Sequence, residues 1–236
     1  MIRSRDAIAA GLVIAAVLGA ASPARAEWFA GLYLGWANTS KTELTFTTRS
    51  PRTFEDVEFD SSVVWGARAG YWFGPQTFEG LGDIGRNFGV DLDLSYFNPR
   101  IPSQFVDTNI GRGRLGFMEV DVVTVTPSLL LRYPLMVEKD FPAGRLQPYV
   151  ALGPTIYIAS TTDSGTFGGR GDEKTDSGLG VAFRPGIAWH VTESVAVFAE
   201  YRLVHFSPDY DFRRGPVDFS ITSHHLNVGA SFTFGR

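Results

Sequence analysis

Hydrophobic side chains alternate with small or polar ones along most of this chain. In residues 150–158 the even positions carry Val, Leu, Pro and Ile, and the odd positions carry Ala, Gly, Thr and Tyr. Successive side chains of a β-strand point to opposite faces, so this segment predicts a strand with one oily face and one lean face. The pattern recurs along the chain and predicts eight strands, at 28–38, 59–73, 87–96, 117–133, 146–160, 178–191, 195–206 and 219–234.

The connections between the predicted strands alternate in length. Four of them are long, polar and rich in Gly, Asp, Arg and Thr, at 40–58, 99–116, 161–177 and 207–218. Those between them are shorter: 190–194 is a tight turn, and 74–86 and 134–145 are of moderate length. No connection has a convincing helical period. The pattern predicts an all-β fold whose antiparallel strands follow one another up and down.

The N-terminus carries the features of a secretory signal. Arg3 and Arg5 precede an apolar stretch at 7–21, and Ala24-Arg25-Ala26 has the form of a cleavage site. The apolar stretch is short for a membrane-spanning helix, although an N-terminal anchor helix is the alternative interpretation. We expect a cleaved signal peptide over 1–26 and a single domain over 27–236.

Composition excludes several classes of protein. Charged residues make up 19% of the chain and the mean hydropathy is +0.00, which is not typical of a helical membrane protein. The chain has no cysteine, so it has no disulfides, thiolate metal ligands or cysteine nucleophile. The net charge of −4 argues against nucleic acid as a partner. We expect no metal and no cofactor.

The lean strand face decides between a soluble barrel and a membrane barrel. It combines many glycines with seven charged residues, which are Arg68, Asp91, Asp93, Arg132, Arg184, Glu200 and Arg202. Glycines leave room for long charged side chains inside a narrow bore, where arginines pair with carboxylates. Aromatic residues such as Trp36, Tyr133 and Trp189 lie near strand ends on the oily face, as in the girdles of membrane barrels. The sequence therefore predicts an eight-stranded antiparallel up-and-down transmembrane β-barrel.

The charged residues of the lean face have two interpretations. They form either a structural ion-pair network that fills the bore or a narrow path for ions. We favour the network, because an eight-stranded bore is only wide enough for its own side chains.

Three segments carry a resemblance to a known family. They are Trp28-Phe29-Ala30-Gly31-Leu32-Tyr33, residues 126–134 and the aromatic C-terminal strand 224–234. In these the chain resembles the small OmpA-like porin family of Gram-negative outer-membrane barrels. The resemblance implies an outer-membrane location, a monomer surrounded by lipid and lipopolysaccharide, and recognition of the last strand by the barrel assembly machinery. Gly235-Arg236 follow the terminal Phe234 here, which departs from an aromatic C-terminus.

The expected function is non-enzymatic. The resemblance implies a role in envelope integrity and in surface interactions through the four long loops, where such a scaffold carries its recognition. One alternative is a lipid A-acting hydrolase, because His205-Phe206-Ser207 is similar to the His-x-Ser of the outer-membrane deacylases, although Pro208 follows where that family carries Asn. Another is a small ligand-binding or transport barrel. Glu119 and Asp121 fall on the oily face, and we expect them above the lipid boundary.

Overall fold

Strands make up most of the described chain. The computed structural model describes residues 27–47, 51–74, 77, 82–163, 172–212 and 215–234. In chain order its strands are β1 (Glu27–Thr39), β2 (Thr42–Phe46), β3 (Arg52–Val57), β4 (Ser62–Trp72), β5 (Phe88–Phe97), β6 (Arg100–Ile101), β7 (Gln104–Thr108), β8 (Gly111–Leu115), β9 (Met118–Arg132), β10 (Leu146–Asp163), β11 (Asp172–His190), β12 (Val195–Phe206), β13 (Asp209–Phe212), β14 (Gly215–Phe219) and β15 (Ile221–Phe234). A 3-10 helix, Gly82–Asn87, precedes β5. Among the described residues, no helix is long and apolar enough to cross a membrane.

The eight long strands close into an antiparallel barrel. Their order is β10-β11-β12-β15-β1-β4-β5-β9, and β9 pairs back to β10. These are the eight strands that the alternation predicts, so the predicted fold class is confirmed. Closure leaves no unpaired edge in the wall, which is the condition for a sheet to stand in lipid.

The oily face points outward over a band of constant height. Outward apolar residues run from Trp28 to Trp36 on β1, and from Val123 on β9 to Tyr133, directly after the end of that strand. These stretches span nine and eleven residues, and about 9–11 residues are needed for a tilted strand to cross a bilayer. Upward is taken as the direction toward the long connections. Immediately above the band, the outward positions become polar on every barrel strand, for example Asn38 above Trp36. We call this set of positions the polar ring.

Glu119 and Asp121 belong to the polar ring. Both lie on the outward face of β9 above Val123, the uppermost apolar residue of that face. Their neighbours are polar: Asp121 accepts a hydrogen bond from the Tyr96 hydroxyl at 2.5 Å, and Glu119 pairs with Arg100 at 3.2 Å. A carboxylate at this level costs little, because charge on the outer face is expensive only near the middle of the bilayer.

Prolines coincide with interruptions of the strand ladder. The pairing of β9 with β10 stops between Leu152 and Ile156, where Pro127 and Pro154 lie. Each of these prolines keeps a partner on its other side, Leu92 for Pro127 and Val181 for Pro154. Because proline has no N–H to donate, a strand tolerates it where one side of the ladder is open.

A second sheet continues the barrel beyond the membrane. Its order is β13-β14-β2-β3-β7-β8, so it is built from three of the four segments that the sequence presents as long polar loops. These short strands also alternate: Leu44 on β2, Phe54 on β3 and Val217 on β14 are all buried, and their sequence neighbours are more exposed. The fourth segment is partly strand as well, because β10 extends to Asp163 and β11 begins at Asp172.

The outer sheet encloses an apolar core above the charged part of the lumen. Large side chains that are fully buried there include Leu44, Phe97, Ile101, Leu115, Met118, Phe206, Tyr210 and Ile221. Burying each such side chain stabilises the fold by roughly 1.5–3 kcal/mol. The outer sheet is therefore a packed extension of the barrel.

Substitution of Leu44 tests whether the outer sheet is held by this core. Leu44→Asn removes apolar contacts and buries an amide without a built partner, so we expect the outer sheet to loosen by about 2–5 kcal/mol. Trypsin cleavage at Arg52, on the neighbouring strand β3, should then become fast, and the barrel should keep its heat-modifiable mobility on gels. Thr45→Asn, at a less buried position of the same strand, is the control. Equal resistance of both variants to trypsin would show that the core does not hold the sheet.

Candidate functional site

The charged residues singled out by the sequence meet inside the barrel. Each of the seven lies on an inward-facing position of a barrel strand, and each is buried. Arg68 comes from β4, Asp91 and Asp93 from β5, Arg132 from β9, Arg184 from β11, and Glu200 and Arg202 from β12. Their contacts join six of them into one network, whose central cluster is Asp91, Asp93, Arg184 and Arg202, and leave Arg132 apart from it.

The central cluster is organised around the two aspartates of β5. Arg184 Nη2 donates to both carboxylate oxygens of Asp91, at 2.6 and 2.8 Å, and to Ser128 Oγ at 2.9 Å. Asp93 accepts from Arg184 at 3.3 Å and from the Tyr33 hydroxyl at 3.0 Å, and it forms a close ion pair with Arg202. Arg184 and Arg202 therefore each have a carboxylate partner in a fully buried site.

Glu200 connects the central cluster to Arg68. Arg68 Nη1 lies 2.9 Å from Glu200 Oε2, and the Tyr149 hydroxyl donates to the same oxygen at 3.0 Å. The Arg68 guanidinium also stacks over the Phe198 ring at 3.7 Å from its centroid. Such stacking adds to the ion pair, because the ring face attracts a cation.

Arg132 stands apart from the other six residues, at the lower mouth of the barrel, where β1 begins. It pairs with Glu27 at 3.1 Å, and its guanidinium lies 4.3 Å from the Trp72 ring centroid. Glu27 is not among the residues that the alternation singles out, because the predicted strand begins one residue later. Its parity would have identified it, since Glu27 shares the inward face of β1 with Gly31 and Tyr33. With Glu27 included, four arginines face four carboxylates.

The lumen leaves little free space around this network. A cavity of about 40 Å³ lies at the mouth beside Arg68 and Arg132, with room for only a few water molecules. Higher up, the His225 ring packs against Phe97 with centroids 4.7 Å apart, and there the network gives way to the apolar core. Paired charges below and packed apolar side chains above make the arrangement suited to holding the wall together.

His205 and Ser207 of the hydrolase hypothesis lie on the outward face, in the polar ring, as does His224. His205 Nδ1 is 2.8 Å from Thr222 Oγ1, and Ser207 Oγ is 2.9 Å from Ser220 Oγ. His205 and Ser207 thus each bond to a residue of the opposite segment. His224 bonds to Tyr201 at 2.5 Å and to Ser40 at 3.1 Å.

Two aspartates face each other across neighbouring strands of the outer sheet. Asp209 on β13 is paired directly with Asp218 on β14. Partial burial, together with the Asp218 carboxylate, raises the pKa of Asp209 above its usual range. A carboxyl group whose pKa is raised in the folded state stabilises the fold when it is protonated. That contribution is complete below the unfolded pKa of about 3.9 and is lost as the pH rises through the folded value.

We therefore expect the outer sheet to resist proteolysis better at mildly acidic pH than at pH 7. The measurement is the rate of cleavage by a protease active over both pH values, corrected with an unstructured peptide substrate. Asp218→Asn removes the facing charge and should flatten the pH dependence. A pH dependence that persists unchanged in Asp218→Asn would contradict the assignment to this pair.

The chain is similar to known proteins of the outer membrane. Residues 11–234 match the family described as outer membrane protein beta-barrel domain. The chain is 27% identical over 236 residues to outer membrane protein A of Klebsiella aerogenes and 26% identical to that of Salmonella typhi. The match takes in all of this chain but only 56% of either relative, so the chain spans about half the length of the curated relatives it matches.

A solved structure supports the fold. The outer membrane protein OprG from Pseudomonas aeruginosa superimposes with a TM-score of 0.54 at 13% identity, covering 91% of this chain and 99% of that one. The closed eight-stranded wall, its outward apolar band and the match over residues 11–234 lead to one conclusion: this chain belongs to the outer membrane protein beta-barrel domain family and resides in the Gram-negative outer membrane.

Proposed function

We propose that this protein is a non-enzymatic barrel that supports envelope integrity and presents a rigid surface to partners outside the cell. The observation that carries the proposal is the filled lumen. Arg184 and Arg202 form ion pairs with the aspartates of β5 inside the wall, and the apolar core closes the barrel above them. A scaffold packed at both levels is suited to mechanical support and to display.

The outer sheet is the part suited to surface interactions. It holds short strands in fixed register beyond the lipid band, so its exposed side chains are presented at defined positions. On the hairpin β7–β8, Phe105 and Ile110 are 65% and 66% exposed, and the Arg112 guanidinium lies over the Phe105 ring. Exposed apolar side chains on an ordered extracellular hairpin favour a role in contact with other molecules.

A deletion strain tests the two parts of this function separately. We expect the strain to become more sensitive to detergents and bile salts, and wild-type protein to restore resistance. A variant with Phe105→Ser and Ile110→Ser should restore detergent resistance but not surface binding, because these side chains do not touch the barrel core. Unchanged detergent sensitivity in the deletion strain would contradict the envelope role.

The non-enzymatic part of the proposal has its own test. Purified, folded protein incubated with lipopolysaccharide should release no fatty acid, and Ser207→Ala should leave this result unchanged. Release of an acyl chain that is lost in Ser207→Ala would overturn the proposal in favour of the hydrolase. In that event His205 and Ser207 would have to rearrange from their present bonds to Thr222 and Ser220.

The remaining partners follow from the outer-membrane location. We propose that lipid and lipopolysaccharide surround the apolar band, and that the assembly machinery recognises the last strand, β15, with its outward Phe232 and Phe234. A monomer suits a barrel whose wall is already closed.

A further inference from the structure

A groove crosses the upper boundary of the lipid band between β4 and β5. It has a volume of about 660 Å³. Its lining includes Ser61, Val63, Trp65, Tyr96, Asn98 and Arg100. The lower part is apolar and lies at the top of the band, whereas the upper part is polar and lies in the polar ring. A groove of this kind can hold an amphipathic molecule that sits across the boundary.

The aromatic side chains of the groove form a firm lower wall. The rings of Trp65 and Tyr96 pack with centroids 5.7 Å apart, and Trp65 is 55% exposed. The Tyr96 hydroxyl donates to Asp121, which fixes the ring at the boundary. Val63, beside them, is also exposed on the outward face. This wall offers contact to a hydrocarbon chain running down the barrel.

Arg100 supplies the cation of the upper part. Its carbonyl oxygen accepts a hydrogen bond from the Asp60 N–H at 2.7 Å, which anchors the backbone. Its guanidinium lies 3.2 Å from Glu119, and its side chain remains 51% exposed. Among the described outward positions of the polar ring, Arg100 is the one arginine or lysine. It is therefore an oriented guanidinium that still has donors free toward the headgroup layer.

Resting on the outer-membrane role proposed above, we propose that this groove binds one lipopolysaccharide molecule, with Arg100 contacting a phosphate of its glucosamine headgroup. A guanidinium matches phosphate geometry with two parallel hydrogen bonds. Asn98, two residues before Arg100, donates one amide hydrogen to Glu119 at 3.4 Å and has a second one for the headgroup. An acyl chain packs against Trp65 and Tyr96. The outer leaflet around this barrel is made of this phosphorylated glycolipid, so the occupant is present at high local concentration.

Acidic neighbours shape the binding. Glu119, Asp121 and Asp60 lie around Arg100, and they weaken its attraction for an anion. Magnesium, which screens such carboxylates and bridges them to phosphate, should therefore strengthen the complex. The same carboxylates disfavour free phosphate, so the acyl contacts are needed for binding.

The test uses the full chain, purified in detergent, with bisphosphorylated lipid A added at known amounts and bound lipid counted by native mass spectrometry. We expect Arg100→Gln to weaken retention about tenfold, the size expected for the loss of a charge-assisted hydrogen-bonded pair. Trp65→Ala should weaken it as well. Dephosphorylated lipid A should bind to the unaltered protein as weakly as bisphosphorylated lipid A binds to Arg100→Gln. Inorganic phosphate should not compete.

Arg112→Gln is the matched control. Arg112 is an exposed arginine on β8 of the outer sheet, away from the lipid boundary, and its loss should leave retention unchanged. Retention unaffected by Arg100→Gln, or reduced equally by Arg112→Gln, would overturn the proposed site. Neither result would bear on the detergent sensitivity of the deletion strain, so failure of this site is distinct from failure of the envelope role.

Discussion

Replacing Asp93 with alanine is expected to lower the free energy of unfolding by about 3–5 kcal/mol, the range for removing one partner from a buried ion pair. Asp93 is fully buried and pairs with both Arg184 and Arg202. Without it, Arg202 retains only the hydroxyls of Tyr33 and Ser95 as hydrogen-bond acceptors. The three central arginines, Arg68, Arg184 and Arg202, would then share the two carboxylates of Asp91 and Glu200, which leaves one buried positive charge uncompensated.

The measurement is urea unfolding of the folded barrel in lipid vesicles, followed by tryptophan fluorescence. Asp107→Ala is the matched control, because it removes an exposed aspartate of the outer sheet. Such a surface change should stay within about 0.5 kcal/mol. An Asp93→Ala barrel as stable as the control would show that the network contributes little to holding the wall together.

Replacing Gly153 with alanine is expected to disturb barrel closure between β9 and β10. A Cβ at this position would lie 1.9 Å from the carbonyl oxygen of Pro127. The obstacle is backbone, so the strands themselves must separate, and the cost should reach or exceed the roughly 1–3 kcal/mol typical of overpacking. The hydrogen-bond ladder between β9 and β10 is already interrupted here, at Pro127 and Pro154. Few hydrogen bonds therefore hold the two strands together at Gly153 once a side chain forces them apart.

The yield of folded, heat-modifiable protein after refolding into detergent micelles measures this effect. Gly113→Ala is the control, since a Cβ there meets first a methyl group of Thr108, at 3.0 Å, which can shift. We expect a clear loss of folded yield for Gly153→Ala and little for the control. Equal yields would mean that the close approach of β10 to Pro127 is not a constraint on folding.

The barrel could be predicted from sequence because each strand carries a long alternation with an oily face. Five or six alternating outward apolar positions, as on β1 and along β9 to Tyr133, are a strong signal. The outer sheet could not be predicted in this way, because strands of four to six residues such as β2, β3 and β13 offer only two or three apolar positions each. These strands pair with strands of other connections, and the sequence of a single connection does not show which distant segment it pairs with.

For the charged residues of the lumen, the sequence predicts the inward position but not the pairing. Parity alone places Arg68, Arg184 and Glu200 inside the bore, which is the property that sequence can give. Which arginine pairs with which carboxylate depends on the strand order and register, and so does the contribution of hydroxyls such as Tyr149. The groove beside Arg100 could not be predicted either, because β4, β5 and the short strand β6 form it together.

The bore of the barrel is filled by ion pairs in its lower part and by apolar packing above them. The proposed function depends on this claim. The most direct test is the conductance of single barrels in a planar lipid bilayer. Paired charges and buried side chains leave no continuous path for hydrated ions, so we expect no stable large open state at physiological salt. A stable open state of high conductance in the unaltered protein would contradict the claim.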